Sequence, residues 1–162
     1  MRSNEVFARM SPAQAAQFLS TLKSDAKPVA ALALNAACQA FKLRPAYIRK
    51  QPEARQADWI RKALGRRIGA ALAEEILATY FLDHELDMLV EWLDAVGLEH
   101  EDGALKEENP ESPTAEALER AVTEFRKGEK PEVREVLLVA FAAQSGIDWP
   151  ELEKLLPPAE AT

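Results

Sequence analysis

Apolar residues between positions 67 and 97 recur with the period of an α-helix, in two blocks that a short polar break separates. In the first block Ile68, Leu72 and Ile76 stand four residues apart. The second block has its apolar residues, again at helical spacing, at Leu86, Leu89, Val90, Leu93 and Val96. Because this spacing aligns side chains along one helix face, the segment predicts a central hairpin of two amphipathic helices over residues 67–97.

The ends of predicted helices carry recognisable residues. Asp83 or His84 is expected to cap the second hairpin helix, whose first backbone amides need an acceptor. Gly97 is expected to end that helix in the left-handed conformation. Other predicted helix starts are marked by Ser11 with Pro12 and Gln14, by Pro28, by Pro52, by Ser112 or Thr114, by Pro131 and by Asp148.

The rest of the chain also favours helix. Ala, Leu, Glu, Lys and Arg dominate, and no segment alternates apolar and polar residues over the length of a strand. We therefore expect an all-α fold, a helical bundle or stacked helical hairpins of about seven helices with no sheet. Composition divides it into an N-terminal helical subdomain (1–102), an acidic linker (103–112) and a C-terminal helical hairpin with a short terminal helix (113–162), expected to form one compact unit.

Composition also points to a cellular setting. The single cysteine, Cys38, cannot form an internal disulfide and lies within an apolar helical segment, which suits a reducing compartment. The longest apolar stretch, residues 28–41, is too short to cross a membrane, and the first residues have no apolar core of the signal-peptide kind. The sequence therefore predicts a cytoplasmic protein of bacterial type that does not associate with membranes.

Charge is distributed unevenly along the chain. The net charge is −7, which argues against loose, sequence-blind binding to nucleic acid. However, residues 42–67 contain nine cations and only two carboxylates, whereas from residue 68 onward seven cations face 23 carboxylates. A short basic block thus precedes a long acidic one.

The basic block contains one unexpected pattern. On a helical wheel of residues 52–67, the core residues Ala57, Ile60 and Leu64 fall on one side. The opposite side collects Arg55, Trp59, Lys62 and Arg66. An indole among cations could stack on a base while the cations bind phosphates. Alternatively, Trp59 packs against a neighbouring helix or a second subunit, and the cations pair with the protein's own carboxylates.

An acidic stripe offers a partner for this basic face. Asp83, Asp87, Glu91 and Asp94 follow one another at helical spacing without an intervening cation, so they repel one another slightly. Docking the stripe on the basic face, within one molecule or between two copies, would relieve the repulsion among these carboxylates and the repulsion among the cations of the basic face. The sequence therefore nominates these four carboxylates as a docking stripe.

The same carboxylates do not form a recognisable metal site. Di-iron bundles use a glutamate followed three residues later by a histidine, and this pattern is missing around His84 and His100. We therefore predict no metal and no cofactor. Cys38 has no activating neighbour in sequence, and there is no nucleophile elbow or glycine-rich phosphate loop, so no catalytic residue is nominated. A helix-turn-helix over residues 45–68 is disfavoured, because its joint is rich in proline.

The sequence contains a weak internal similarity between two helical segments. Aligning Gly97 with Gly146 also places Trp92 on Phe141, an offset of 49 residues. Stacked helical-pair repeats have periods in this range, but any two amphipathic helices that end in glycine look this similar. A true repeat and a coincidence both stay open.

Taken together, these patterns favour a non-enzymatic, cytosolic helical protein-interaction module, an adaptor or regulator whose partner is another protein or its own copy. The alternative is a nucleic-acid or phosphate-ligand binder that uses the basic face of the 52–67 helix. An enzyme whose site is assembled from separated residues is a third hypothesis. Fold class alone does not choose between them.

Overall fold

The computed structural model describes residues 1–157 of the chain and is predominantly helical there. Its helices are α1 (Ser3–Arg9), α2 (Pro12–Asp25), α3 (Lys27–Phe41), α4 (Pro45–Arg49), α5 (Glu53–Leu64), α6 (Ala70–His84), α7 (Leu86–Ala95), α8 (Ala115–Arg126), α9 (Pro131–Ala143) and α10 (Pro150–Leu155). A 3₁₀ turn, Arg67–Gly69, precedes α6, and two short strands, β1 (His100–Glu101) and β2 (Ala104–Leu105), follow α7. Within the described residues, no helix is both long and apolar enough to cross a membrane.

The all-α expectation is therefore confirmed in its broad form, but two details of it were wrong. The described residues form ten helices rather than about seven, and they include a two-stranded antiparallel sheet. Two of the additional helices, α1 and α4, are only seven and five residues long. Helices of this length span one or two turns, which is too short for an amphipathic period to be recognised.

The structure divides into two compact units. The N-terminal unit is Arg2–Tyr80, and the C-terminal unit begins at Phe81, so the division falls inside α6. The acidic segment 103–112 lies within the C-terminal unit and does not separate the two. The units differ strongly in charge: residues 2–80 carry 13 cations and six carboxylates, whereas residues 81–157 carry seven cations and 20 carboxylates.

In the N-terminal unit, α5 is the central element and contacts α1, α2 and α3. Its predicted core residues Ala57, Ile60 and Leu64 are all buried. The proline-initiated helix α3 is apolar on nearly all sides, yet it buries one alanine-rich face and leaves Leu32 43% exposed. Small residues on that face, such as Ala33, leave little side-chain bulk between α3 and α5.

Helix α2 begins as predicted. The Ser11 hydroxyl accepts a hydrogen bond from the Gln14 amide at 3.1 Å, and the Ser11 amide donates to Gln14 Oε1 at 2.9 Å, which completes a capping box. Its buried residues are Ala15, Phe18, Leu19 and Leu22. Ahead of it, the first residues were expected to fray, but they form α1, which buries Val6 and Phe7.

The predicted pair of helices over residues 67–97 is present as α6 and α7, with Glu85 between them. The predicted cap was wrong: Asp83 and His84 both belong to α6, and the residue that precedes α7, Glu85, makes no side-chain cap. Ile68 was expected in the buried stripe but is 94% exposed, because it lies in the 3₁₀ turn.

Helix α7 ends at Gly97 as predicted. Gly97 has a φ of 73°, and the Leu98 amide donates to the Leu93 carbonyl while the Gly97 amide donates to that of Asp94. This pair of bonds is a Schellman motif. Gly146, which the internal alignment places opposite Gly97, also has a positive φ. There, however, the Ile147 amide donates a hydrogen bond to the Gln144 carbonyl, so the two helix ends differ.

The core of the C-terminal unit is a chain of aromatic rings. Trp92 lies 5.3 Å from Phe125 and 5.7 Å from Phe141, and Phe141 lies 5.1 Å from Trp149, all between ring centroids. These rings come from α7, α8, α9 and the start of α10, and edge-on packing of this kind is favourable beyond the area that it buries. The apolar run of α9 is buried as predicted.

The ends of the helices in this unit only partly follow the sequence expectation. The Thr114 hydroxyl accepts a hydrogen bond from the Ala117 amide and caps α8, as one of the two candidates there. Asp148 was expected to cap the last helix, but Trp149 is the residue that precedes α10, and the helix has no side-chain cap. The Trp149 indole instead donates to the Pro110 carbonyl at 2.9 Å.

The segment that was expected to be a loop contains the β-hairpin. His100 pairs with Leu105 and Glu101 with Ala104. Asp102 and Gly103 form the connecting turn with φ values of 49° and 86°, and Asp-Gly is a preferred pair for two-residue hairpin turns of this geometry. The signal was therefore in the sequence, but the strands of two residues each are too short for an alternating pattern.

Candidate functional site

The outer side of α5 carries three of the four residues that the sequence nominated, Arg55, Trp59 and Lys62, whereas Arg66 lies beyond the end of the helix at Leu64. Because Ala57, Ile60 and Leu64 are turned inward, Arg55, Lys62 and Arg66 are exposed and Trp59 is half-buried. The four residues do not form one group, since Arg55 contacts Trp59 whereas Lys62 and Arg66 contact other residues.

Trp59 lies in a small cluster of rings and charge. The Arg55 guanidinium carbon is 4.8 Å from the centroid of the indole, within the range of a cation–π interaction. The Tyr47 ring of α4 approaches the same indole with 6.0 Å between centroids and an angle of 51° between planes. Tyr47 is 43% exposed. We call the surface formed by Tyr47, Arg55 and Trp59 the aromatic face.

Lys62 is neutralised by an acidic neighbour. Asp58 accepts hydrogen bonds from Lys62 Nζ and Arg61 Nη2, both at 2.9 Å. Partial burial raises the pKa of the Asp58 carboxyl, but the hydrogen bonds and positive charges of Lys62 and Arg61 outweigh burial, and the pKa lies below its usual value. Asp58 is therefore ionised at neutral pH, and Lys62 is not a free cation.

Arg66 is bound to the end of α3. Its guanidinium carbon is 4.5 Å from the centroid of the Phe41 ring, and Nη1 donates to the Ala40 carbonyl at 3.5 Å. A cation is favourable at the C-terminus of a helix, where carbonyl groups lack partners within the helix. Arg66 thus stabilises the local structure of the N-terminal unit.

Unpaired cations lie instead on and beside α4. The side chains of Arg44, Arg49 and Lys50 are exposed and make no ion pair or hydrogen bond within residues 1–157. We call these three residues the basic rim. The rim and Tyr47 were not nominated from the sequence, because a helix of five residues such as α4 is too short to give a periodic signal. The sequence signal was present, since four of the seven residues 44–50 are Arg, Lys or Tyr.

The acidic stripe is less continuous than its spacing predicts. Asp83 belongs to α6, whereas the other three carboxylates belong to α7. Glu91 pairs with Arg134 at 2.8 Å, so a cation distant in sequence compensates one of the four, and Asp94 lies within hydrogen-bond distance of His100 Nε2, at 2.9 Å. Asp83 and Asp87 are exposed and have no hydrogen-bond or ion-pair partner in the part of the chain that the structure describes.

His100 makes contacts through both ring nitrogens. Its Nδ1 accepts a hydrogen bond from the Gly103 amide at 3.3 Å, and its Nε2 lies 2.9 Å from Asp94 Oδ1. His100 thereby connects α7 to the β-hairpin and has a structural role. In residues 1–157, no group of three or more His, Cys, Asp or Glu side chains is arranged to hold a metal ion.

Comparison with known proteins identifies no relative. No protein-family model matches the sequence, and no match was found among curated proteins or solved structures. Function is therefore argued from the surfaces of the molecule alone.

Proposed function

We propose that this protein is a non-enzymatic helical interaction module that binds an acidic segment of a protein partner through the aromatic face. The observation that carries the proposal is an exposed Tyr47 beside Trp59 and Arg55, with the unpaired cations of the basic rim flanking it on the short helix α4. Tyrosine, tryptophan and arginine are the residue types that most often dominate binding energy at protein interfaces.

The state of the individual side chains favours a protein partner over a nucleic acid. Arg55 already lies over the Trp59 ring, which is half-buried and therefore offers little free surface to a base. Lys62 and Arg66 are held by Asp58 and by the end of α3. The net charge of −7 also opposes binding to a polyanion over a long surface.

A single-stranded nucleic acid is the second candidate, and one observation favours it. Tyr47 is the most exposed ring of the aromatic face, and Arg44, Arg49 and Lys50 surround it in sequence without a carboxylate partner. An aromatic ring among cations is the arrangement on which single strands stack. Under this candidate, binding falls steeply as salt is added.

A pull-down from the protein's own lysate, with and without nuclease, tests the proposal. The variants are Tyr47→Ala and Trp59→Ala, and Leu32→Ala is the matched control because Leu32 is as exposed as Tyr47 (43%) in the same unit. We expect a stoichiometric protein that survives nuclease, with affinity reduced at least about tenfold by either aromatic change and unchanged in the control. Circular dichroism verifies that each variant is folded.

Further outcomes distinguish a nucleic acid, a second copy of the chain and failure of the proposal. Nucleic acid that co-purifies and is lost with Arg44→Glu and Arg49→Glu, but not with Arg120→Glu in the C-terminal unit, supports the second candidate. Light scattering of the purified protein tests whether the partner is its own copy, for which Asp83 and Asp87 are the available acidic residues. A partner that Tyr47→Ala and Trp59→Ala leave fully bound overturns the proposal.

A further inference from the structure

The N-terminal unit contains a cleft with a volume of about 340 Å³ between residues of α2, α3 and α4. Its apolar wall comes mainly from Ala30, Leu34 and Cys38 of α3 and from Ile48 of α4. Cavities of about 300–1,000 Å³ with an apolar lining and a few placed polar groups are typical of small-molecule sites. The cleft is distinct from the aromatic face, which lies around Tyr47 and Trp59.

Three cations lie at this cleft without a counter-charge. Lys23, Lys27 and Arg49 line it, and none of the described residues that line it is a carboxylate. No ion pair joins any of the three to an acidic side chain within residues 1–157. Lys23 is half-buried, whereas Lys27 and Arg49 are exposed. Unpaired cations beside an apolar wall favour an anion, because the low-dielectric wall strengthens the attraction.

One of these cations is held in place by a buried network. Lys23 Nζ donates to Gln56 Oε1 at 2.7 Å. Gln56 is only 4% exposed and is itself fixed, because its Nε2 donates to the Gln51 carbonyl at 2.9 Å and to the Arg49 carbonyl at 3.4 Å. An ammonium group has three donors, and this contact uses one of them. The Lys23 ammonium is therefore positioned at the cleft with donors to spare.

We propose that the cleft binds a small amphipathic anion, with a short aliphatic tail against the apolar wall and an anionic head group on Lys23, Lys27 and Arg49. The wall supplies hydrophobic contact, and the cations supply charge-assisted hydrogen bonds to a carboxylate or a phosphate. This inference does not depend on the proposed function. Arg49 belongs to both the cleft and the basic rim, but Lys23 and Lys27 lie outside the aromatic face and the basic rim, so variants at Lys23 test the cleft separately from the proposed function.

Titration of the full chain with decanoate, decyl phosphate and decanol, each below the concentration at which it forms micelles, tests the site. Calorimetry measures affinity. The rate at which a small thiol reagent modifies Cys38 reports occupancy, since Cys38 lines the cleft and is the only cysteine of the chain. We expect one molecule of an anion to bind per chain and to slow modification of Cys38. Decanol is expected to bind about tenfold more weakly or worse.

Single substitutions test which side chains of the cleft bind the anion. Lys23→Met keeps most of the side-chain stem but removes the charge, and is expected to weaken binding of the anion about tenfold. Lys42→Met removes an exposed, unpaired lysine outside the cleft and is the matched control. Ala31→Trp places a large ring on a residue that lines the cleft yet is solvent-exposed, so it blocks the cleft without disturbing the core.

The comparison of decanoate with decyl phosphate identifies the preferred head group, and either result supports the site. The inference is overturned if neither anion binds saturably, if decanol binds as tightly as the anions, or if Lys23→Met and Ala31→Trp bind like the Lys42→Met control. Protection of Cys38 that persists in the Ala31→Trp variant also overturns it.

Discussion

Two buried tryptophans in the C-terminal unit differ in what their indole nitrogens contact. Trp92 and Trp149 are 0% and 2% exposed, and both pack against Phe141. Trp149 Nε1 donates to the Pro110 carbonyl at 2.9 Å, whereas Trp92 Nε1 is buried with no hydrogen-bond partner within residues 1–157. A buried polar group without a partner costs about 1–3 kcal/mol. The two side chains therefore contribute unequally to stability.

We expect Trp149→Phe to be more destabilising than Trp92→Phe by about 2 kcal/mol. Both changes remove similar apolar area, but the first leaves the Pro110 carbonyl without its donor, while the second removes an N–H group that had no acceptor. Urea unfolding followed by far-UV circular dichroism measures the difference without relying on tryptophan fluorescence. Equal losses, or a greater loss for Trp92→Phe, would contradict the assigned hydrogen bonding.

At the scale of residues, the sequence predicts inward faces well and surface partners poorly. The buried residues of α2, such as Phe18, and of α5, such as Ile60, follow from helical spacing alone. The neighbours of Trp59 do not, because Tyr47 reaches it through the packing of a second helix. The ion pair between Glu91 and Arg134, 43 residues apart in sequence, could not be predicted for the same reason, because it depends on the packing of two helices.

At the scale of elements, the long helices were predictable and the short ones were not. Helices such as α2 and α8 contain three or more turns of periodic apolar residues and begin at Ser11 and Thr114, which are good capping residues. The starts of α7 and α10 have no side-chain cap, so the polar residues near them, Asp83 and Asp148, gave wrong boundaries. A polar residue marks the start of a helix only where its side chain accepts a hydrogen bond from a backbone amide of the first turn.

Two glycines, each of which follows the end of a helix, test how local conformation and tertiary packing constrain such positions. Gly97 and Gly146 have φ values of 73° and 90°, a region that other residues adopt at a cost of about 1–2 kcal/mol. A Cβ atom added at Gly97 would meet nothing within 4 Å, whereas one added at Gly146 would collide with the backbone carbonyl oxygen of Glu108. Only Gly146 is therefore constrained by tertiary packing as well as by its own conformation.

We expect Gly97→Ala to lower the free energy of unfolding by about 1 kcal/mol, and Gly146→Ala to lower it by at least about 2 kcal/mol more, since backbone atoms cannot move aside cheaply. Gly97→Asn serves as a control, because asparagine tolerates the left-handed region and should recover part of the loss. Urea midpoints measure all three variants. Equal losses at the two glycines would show that the Glu108 carbonyl is not against Gly146.

At the scale of the whole molecule, the charge asymmetry was readable from the sequence but the division of the chain was not. The switch from basic to acidic near residue 67 anticipates the opposite charges of the two units. The proline-rich acidic segment at residues 103–112 stays a predicted linker. The division between the two compact units falls inside α6, a position with no compositional signal because a continuous helix contains it.

The acidic C-terminal unit is the part of the molecule in which like charges should limit stability. Five of its seven cations already have a carboxylate partner, namely Arg126, Lys127, Lys130, Arg134 and Lys154. Because 20 carboxylates and only seven cations are present between residues 81 and 157, this unit carries a large excess of negative charge. Screening of this repulsion should outweigh the weakening of exposed ion pairs, each of which is worth about 1 kcal/mol or less.

We therefore expect added salt to stabilise the C-terminal unit. Raising NaCl from about 20 mM to about 500 mM shortens the Debye length from about 20 Å to about 4 Å and should raise the urea midpoint. Urea is the appropriate denaturant because it is uncharged, and Trp59→Phe leaves only Trp92 and Trp149 as fluorescent reporters, both in this unit. KCl should act like NaCl if screening is the cause. A midpoint that falls with salt would mean that the ion pairs of this unit, rather than its excess of carboxylates, dominate its electrostatic energy.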